Sequence, residues 1–150
     1  MATLAVPTLP LAPGTLDGDT DTVKDILTLT AASTGDVLIY DNVGLTKPLD
    51  GLTVVQARNV TFFQTLNVAG DVTIQATGDV RFLGAVNISA GGNLTVTGAR
   101  SVVFDQYAVV NLTGTTVSNG AGDLLLQGDE IDLPVYQTIY AVSGATAVFK

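Results

Sequence analysis

"LTVVQARNVTFFQTLNVAGD" occupies residues 52–71, and "VTIQATGDVRFLGAVNISAGGN" follows at once at residues 72–93. The two stretches share few identities, yet their apolar residues fall in the same places. Adding 20 to Leu52, Val54, Val60, Phe62, Leu66 and Val68 gives Val72, Ile74, Val80, Phe82, Val86 and Ile88. A third copy runs through Leu94, Val96, Val102 and Phe104, then Val110 and Leu112 after a two-residue insertion around Tyr107. Looser copies flank these. One holds Leu27, Leu29, Val37 and Ile39, with extra residues at "ASTG"; the other holds Leu124, Leu126, Ile131 and Leu133. Internal repetition with irregular end units is the mark of a stacked repeat array, whose terminal units must cap it.

Within each copy the apolar residues come in pairs spaced by two, the period that puts side chains on one face of a strand. Each copy therefore reads as three short strands. The corners between them are rich in Gly, Asp and Asn, with "GD" at 18–19, 35–36, 70–71, 78–79, 122–123 and 128–129 and "GN" at 92–93. Gly supplies unusual backbone angles, and Asp or Asn bonds back to nearby amides. Three strands and three corners in about twenty residues describe one coil of a single-stranded parallel β-helix, each coil lying roughly 4.8 Å above the last. The spacing predicts an all-β solenoid of about five coils. Leu52, Val72, Leu94 and Leu124 should form one inward ladder and Phe62, Phe82 and Phe104 another. An antiparallel sandwich of short strands is the competing architecture, but it does not require the same residue class at one fixed offset.

"GDVTIQATGDVRFLGAVNISAGGNLTVTGA", residues 70–99, resembles the repeats of filamentous-haemagglutinin-like exoproteins. The resemblance is one of pattern, Gly and Asn/Asp between alternating aliphatics, and it is best over residues 52–114. It implies a right-handed parallel β-helix and an adhesive or structural role at a bacterial surface. Phage tail proteins and polymer-forming bacterial cytoskeletal β-helices show similar patterns. The expected location is accordingly extracellular, at the cell surface or on a virion. The N-terminal stretch, interrupted by prolines and without a basic region, does not itself read as a signal peptide.

Composition narrows the function. Of the 150 residues 47% are hydrophobic and only 13% charged, too apolar for a disordered chain. The formal charge is −8, which disfavours a nucleic-acid partner bound through its phosphates. No apolar run is long enough for a membrane-spanning helix. Cys and His are absent, so there is no thiol nucleophile and no imidazole for acid–base work. Glu130 and Asp132, spaced by two, are the one candidate acid pair, and without long loops to build a cleft no enzyme activity is expected.

Outward-facing positions offer other chemistry. Thr28, Thr53, Thr73, Thr95 and Leu125 form one expected column, and Thr30, Val55, Gln75, Thr97 and Gln127 the next. A flat threonine ladder is the kind of surface that binds ice, although Thr is also an ordinary solvent-facing strand residue. Asn59, Asn87, Asn93 and Asn111 sit in glycosylation-type triplets, but stacking or corner closure is the plainer role for them. "DGDTDT" puts Asp17, Asp19 and Asp21 at alternate positions, a candidate Ca²⁺ site of clustered oxygens or simply a solvated acidic loop. No other cofactor is expected.

The ends of such a rod expose unpaired strand edges that must be capped, charged or paired. The chain divides into an extended N-terminal arm at 1–25, a β-helix at 26–135 and C-terminal strands at 136–150. The arm carries Leu4, Val6, Leu9 and Leu11. The tail carries Tyr136, Ile139, Tyr140, Val142, Val148 and Phe149. Each tail either caps its own chain or crosses to another copy, and repetition of the second contact gives a filament. The expected partner is thus the chain itself, in a structural assembly. A module displaying loops 40–51 and 105–108 to a glycan or a cell-surface protein is the alternative.

Overall fold

In the computed structural model, residues 16–18, 24–89 and 92–105 are described, together with strand positions at 2–5, 9–11, 110–113, 124–132, 139–141 and 147–149. Among the described residues fifteen strands run in chain order: β1 (Ala2–Ala5), β2 (Leu9–Leu11), β3 (Ile26–Thr30), β4 (Val37–Ile39), β5 (Gly51–Ala57), β6 (Val60–Phe62), β7 (Leu66–Val68), β8 (Val72–Ala76), β9 (Asp79–Phe82), β10 (Val86–Ser89), β11 (Leu94–Phe104), β12 (Val110–Thr113), β13 (Leu124–Asp132), β14 (Ile139–Ala141) and β15 (Ala147–Phe149). Strand pairing among them is parallel throughout, which excludes the antiparallel sandwich. The chain is a parallel β-solenoid.

Three ladders climb the rod. The first face is β1-β3-β5-β8, then the start of β11, followed by β13 and β15. The second is β2-β4-β6-β9, then the end of β11 and the end of β13. The third is β7-β10-β12-β14. About three turns are regular, fewer than the five coils expected, because the outer copies contribute shorter or merged rungs. In β11 and β13 the first corner is bridged by continuous strand, so two expected strands become one.

The core is the ladder of inward residues. Leu52 pairs in register with Val72, Val72 with Leu94 and Leu94 with Leu124. Phe62, Phe82 and Phe104 are buried and stack, with ring centroids 5.3 and 4.9 Å apart. That spacing is close to the strand separation, so the rings stack because the coils do.

One expected outer column is corrected. Thr30 pairs with Gln56, not Val55, because β5 carries one extra residue between Val54 and Ala57. The bulge pushes Val55 out into solvent, 45% exposed. The segment after β4 is also more than a display loop. Val43 bridges Leu66 and Leu49 bridges Val68, and both are buried. This stretch supplies the third face of its coil, while Leu45 points outward, 56% exposed. The turn between them needs Gly44, whose φ of 67° suits a residue without Cβ.

Candidate functional site

The solenoid builds its corners from side chains that reach one coil up or down. At the entry to the second face, Asn59 Nδ2 donates to Asp36 Oδ1 at 2.9 Å, and Asn59 Oδ1 accepts the Asp79 amide at 2.8 Å. At the entry to the first face, Asp71 Oδ1 accepts both the amide and the Nδ2 of Asn93 at 2.9 Å. On the third face Asn87 Nδ2 donates to Asn67 Oδ1 at 2.6 Å, and Asn67 Nδ2 donates to the Gly44 carbonyl at 3.0 Å. Asn111 continues that column in register. Asn59, Asn87 and Asn93 are therefore joints between coils, as the plainer reading expects.

One corner carries more than structure requires. The chain has only three arginines, and all three lie along the entry to the second face. Arg58 clasps Asp36 with two bonds, Nε at 2.9 Å and Nη2 at 2.7 Å. Arg100 reaches back to Asp79 Oδ1 with Nε at 3.0 Å and Nη2 at 2.6 Å. Arg81, on the outer side of β9, gives Nη2 to the other oxygen of Asp79 at 3.1 Å. Beside them runs a shallow groove of about 400 Å³. Its floor is Thr61 and Leu38, one wall is Phe63 and Leu83, and the other holds Asp36, Asn59, Asp79 and Arg100, with Arg81 at the rim. Phe63 is held flat by Tyr40, stacked on it at 4.8 Å.

These contacts fix the charge of the acids. Hydrogen bonding from Arg58 outweighs the opposing effect of burial and, with Asn59 adding to it, holds the Asp36 carboxyl below the ordinary aspartate range. Arg100, aided by Arg81, does the same for Asp79. The folded state thus binds those protons less readily than the unfolded chain. The stability this supplies is fully present above the ordinary aspartate range and is lost as pH falls below it. Melting temperature measured against pH should fall more steeply on the acid side for the native chain than for Asp79→Asn, which has no such proton to gain.

The other candidate residues separate into two groups. Asp17 accepts the Thr46 amide at 3.0 Å, whereas Asp19 and Asp21 lie outside the described residues. Among the described residues no group of three or more acids, His or Cys is placed to hold a metal ion. Leu4 pairs with Leu29, Leu9 with Val37 and Leu11 with Ile39. Ile139 and Tyr140 pair with Val110 and Asn111, and Val148 and Phe149 with Leu125 and Leu126. The terminal strands thus add rungs to their own rod; Val6, Tyr136 and Val142 lie outside the described residues, as does most of loop 105–108. Glu130 and Asp132 sit at the Ser101 and Val103 register. Thr3, Thr28, Thr53, Thr73 and Thr95 form one unbroken column, but the next is mixed, Thr30 beside Gln56 and Gln75 beside Thr97.

Sequence reasoning missed the arginine corner. A signal was there: the arginines fall only between residues 58 and 100, with Arg58 and Arg100 at the same position of their copies. No protein-family profile matches the chain, and neither does a curated protein or a solved structure. The class defined by fold and corner is that of a parallel β-solenoid with a polar lateral groove. Among the described residues no helix is long and apolar enough to cross a membrane.

Proposed function

We propose that the chain is a structural β-solenoid subunit that associates end to end through its terminal strands into a filament or a surface assembly. One observation carries this reading. The strands at both termini lie in the same parallel register as the body of the rod. An edge such as β15 is paired within the described residues on one side, to β13. A second copy that sets its β1 against β15 extends the same ladder, a head-to-tail contact that repeats without closing. The pattern-level resemblance to filamentous-haemagglutinin-like repeats agrees with a role outside the cell, on a surface or a virion. The acid near both termini opposes like-charged ends, and Ca²⁺ at Asp17, Asp19 and Asp21 is the means proposed here for relieving that repulsion.

The test is particle mass by light scattering, with electron microscopy of the same samples. The native chain should exceed its 15.4 kDa monomer mass and grow with concentration. Val148→Lys places a charge on the edge strand, the usual device against edge pairing. It should return the chain to monomer mass with an unchanged circular dichroism spectrum. A native chain that stays monomeric at every concentration, with and without calcium, sinks the proposal.

A further inference from the structure

We propose that the groove beside the arginine corner binds an acidic saccharide chain, with Arg81 and Arg100 taking a sugar carboxylate. The site stands on the side of the rod and is independent of end-to-end association.

Charge is the first argument. The chain carries −8 overall, yet this corner sets Arg58, Arg81 and Arg100 against Asp36 and Asp79, leaving one positive charge in excess. Asp79 is shared by two arginines, so neither guanidinium is satisfied by a carboxylate of its own. Arg81 donates a single bond out of the five that a guanidinium offers, and its side chain is 52% exposed. Those unspent donors form the planar fork that suits a carboxylate. Arg58 and Asp36 neutralise one another through two bonds, so a negative group belongs at the level of Arg81 and Arg100.

Shape and the remaining lining identify the rest of the ligand. The groove's 400 Å³ falls within the roughly 300–1,000 Å³ of small-molecule sites. It crosses four successive coils, from Leu38 through Thr61 and Arg81 to Arg100, an opening of roughly 14 Å at the strand spacing. An elongated occupant lying along the rod fits better than a compact ion. Phe63 and Leu83 offer an apolar wall for the C–H face of a sugar ring. Opposite them the second N–H of the Asn59 amide and the remaining lone pair of Asp79 Oδ2 are left for hydroxyl groups, since Asp36 already accepts four bonds. Hydroxyls, a ring with an apolar face and a carboxylate together describe a hexuronate unit. An acidic peptide lacks the hydroxyls, and a nucleic acid carries a phosphate at every residue, where the groove has one positive charge in excess, so the saccharide that fits carries its uronates singly among neutral sugars.

Calorimetric titration of the full chain with a neutral oligosaccharide bearing one glucuronate residue tests this. The methyl ester of the same oligosaccharide is the neutral control. Binding should be seen for the acid and be absent or far weaker for the ester. Arg81→Gln removes an exposed group and should keep the cooperative melting transition, with only a small loss from its one bond to Asp79, while weakening binding about tenfold, the loss of one or two charge-assisted bonds. Lys24→Gln removes the same charge from an exposed site elsewhere and should leave binding intact. No binding of the acid, equal affinity for the ester, or an equal loss in Lys24→Gln and Arg81→Gln would each overturn the proposal.

Discussion

Phe82→Ala should cost about 4 kcal/mol of folding stability, a large share of the ~5–15 kcal/mol that holds a domain of this kind together. Phe82 is fully buried, and its ring lies between Phe62 and Phe104 at 5.3 and 4.9 Å. Truncation removes the buried ring and leaves a void whose ceiling and floor are aromatic rings on separate coils. Those rings cannot collapse into it, because each is fixed by the strand that carries it. Two stacked pairs are lost as well, each adding about 0.5–1.5 kcal/mol beyond burial. The neighbouring position provides the internal comparison. On its other side the Phe62 strand meets Ile39, an aliphatic residue. Phe62→Ala therefore breaks one aromatic pair, and its loss should be smaller by about one such increment. Urea titrations of both variants measure the difference. Equal losses would mean that the stack acts only through buried area.

The inward ladders were legible because burial imposes one rule on every coil. Leu52, Val72 and Leu94 must be apolar whatever their neighbours are, so the offset of 20 between the first two survives even where identity does not. The same offset concealed a slip. Val54 and Ile74 pair 20 apart, Ala57 and Ala76 pair 19 apart, and Val60 and Val80 are again 20 apart. The bulge at Val55 is recovered at the next corner, so a count across the whole coil returns the regular figure. Periodicity also fails where a segment has no period. Val43 and Leu49 are separated by a turn at Gly44, and nothing in their spacing announces the strand-like bridges they make to Leu66 and Val68. The arginine corner was hidden for a third reason. Arg58 and Arg100 occupy the same position within their copies, but Gly78 stands between them and Arg81 lies three residues further along its copy, so no unbroken column of like residues appears. What unites them is the pair of acids they share, Asp36 and Asp79, and those were read only as corner residues.

Gly70→Ala should destabilise the rod by about 3 kcal/mol, through overlap rather than through a void. Gly70 sits in the corner between β7 and β8, where successive coils approach by their backbones. A Cβ there would run into the carbonyl oxygen of Asp50, one coil below, and that atom is not the end of a flexible side chain. The coil above imposes the same condition, since a Cβ on Gly92 would meet the backbone of Gly70. Relief demands that the corner move outward. Movement there disturbs the Leu52 amide bond to the Asp71 carbonyl, at 3.0 Å, and the two bonds that Asp71 accepts from Asn93. Gly51 is the contrasting case, nineteen residues away in sequence and one coil below. An added Cβ at Gly51 finds its nearest neighbour at 3.5 Å, the Ile26 side chain, an ordinary packing distance. Gly51→Ala should therefore change stability by less than about 1 kcal/mol, with the lower entropy of the unfolded chain favouring a gain. If both substitutions were tolerated alike, the glycines of the corners would be there for turning the chain. A loss confined to Gly70→Ala means that the spacing between coils is set where one backbone rests on the next, and that the side-chain ladders fill the distance so fixed.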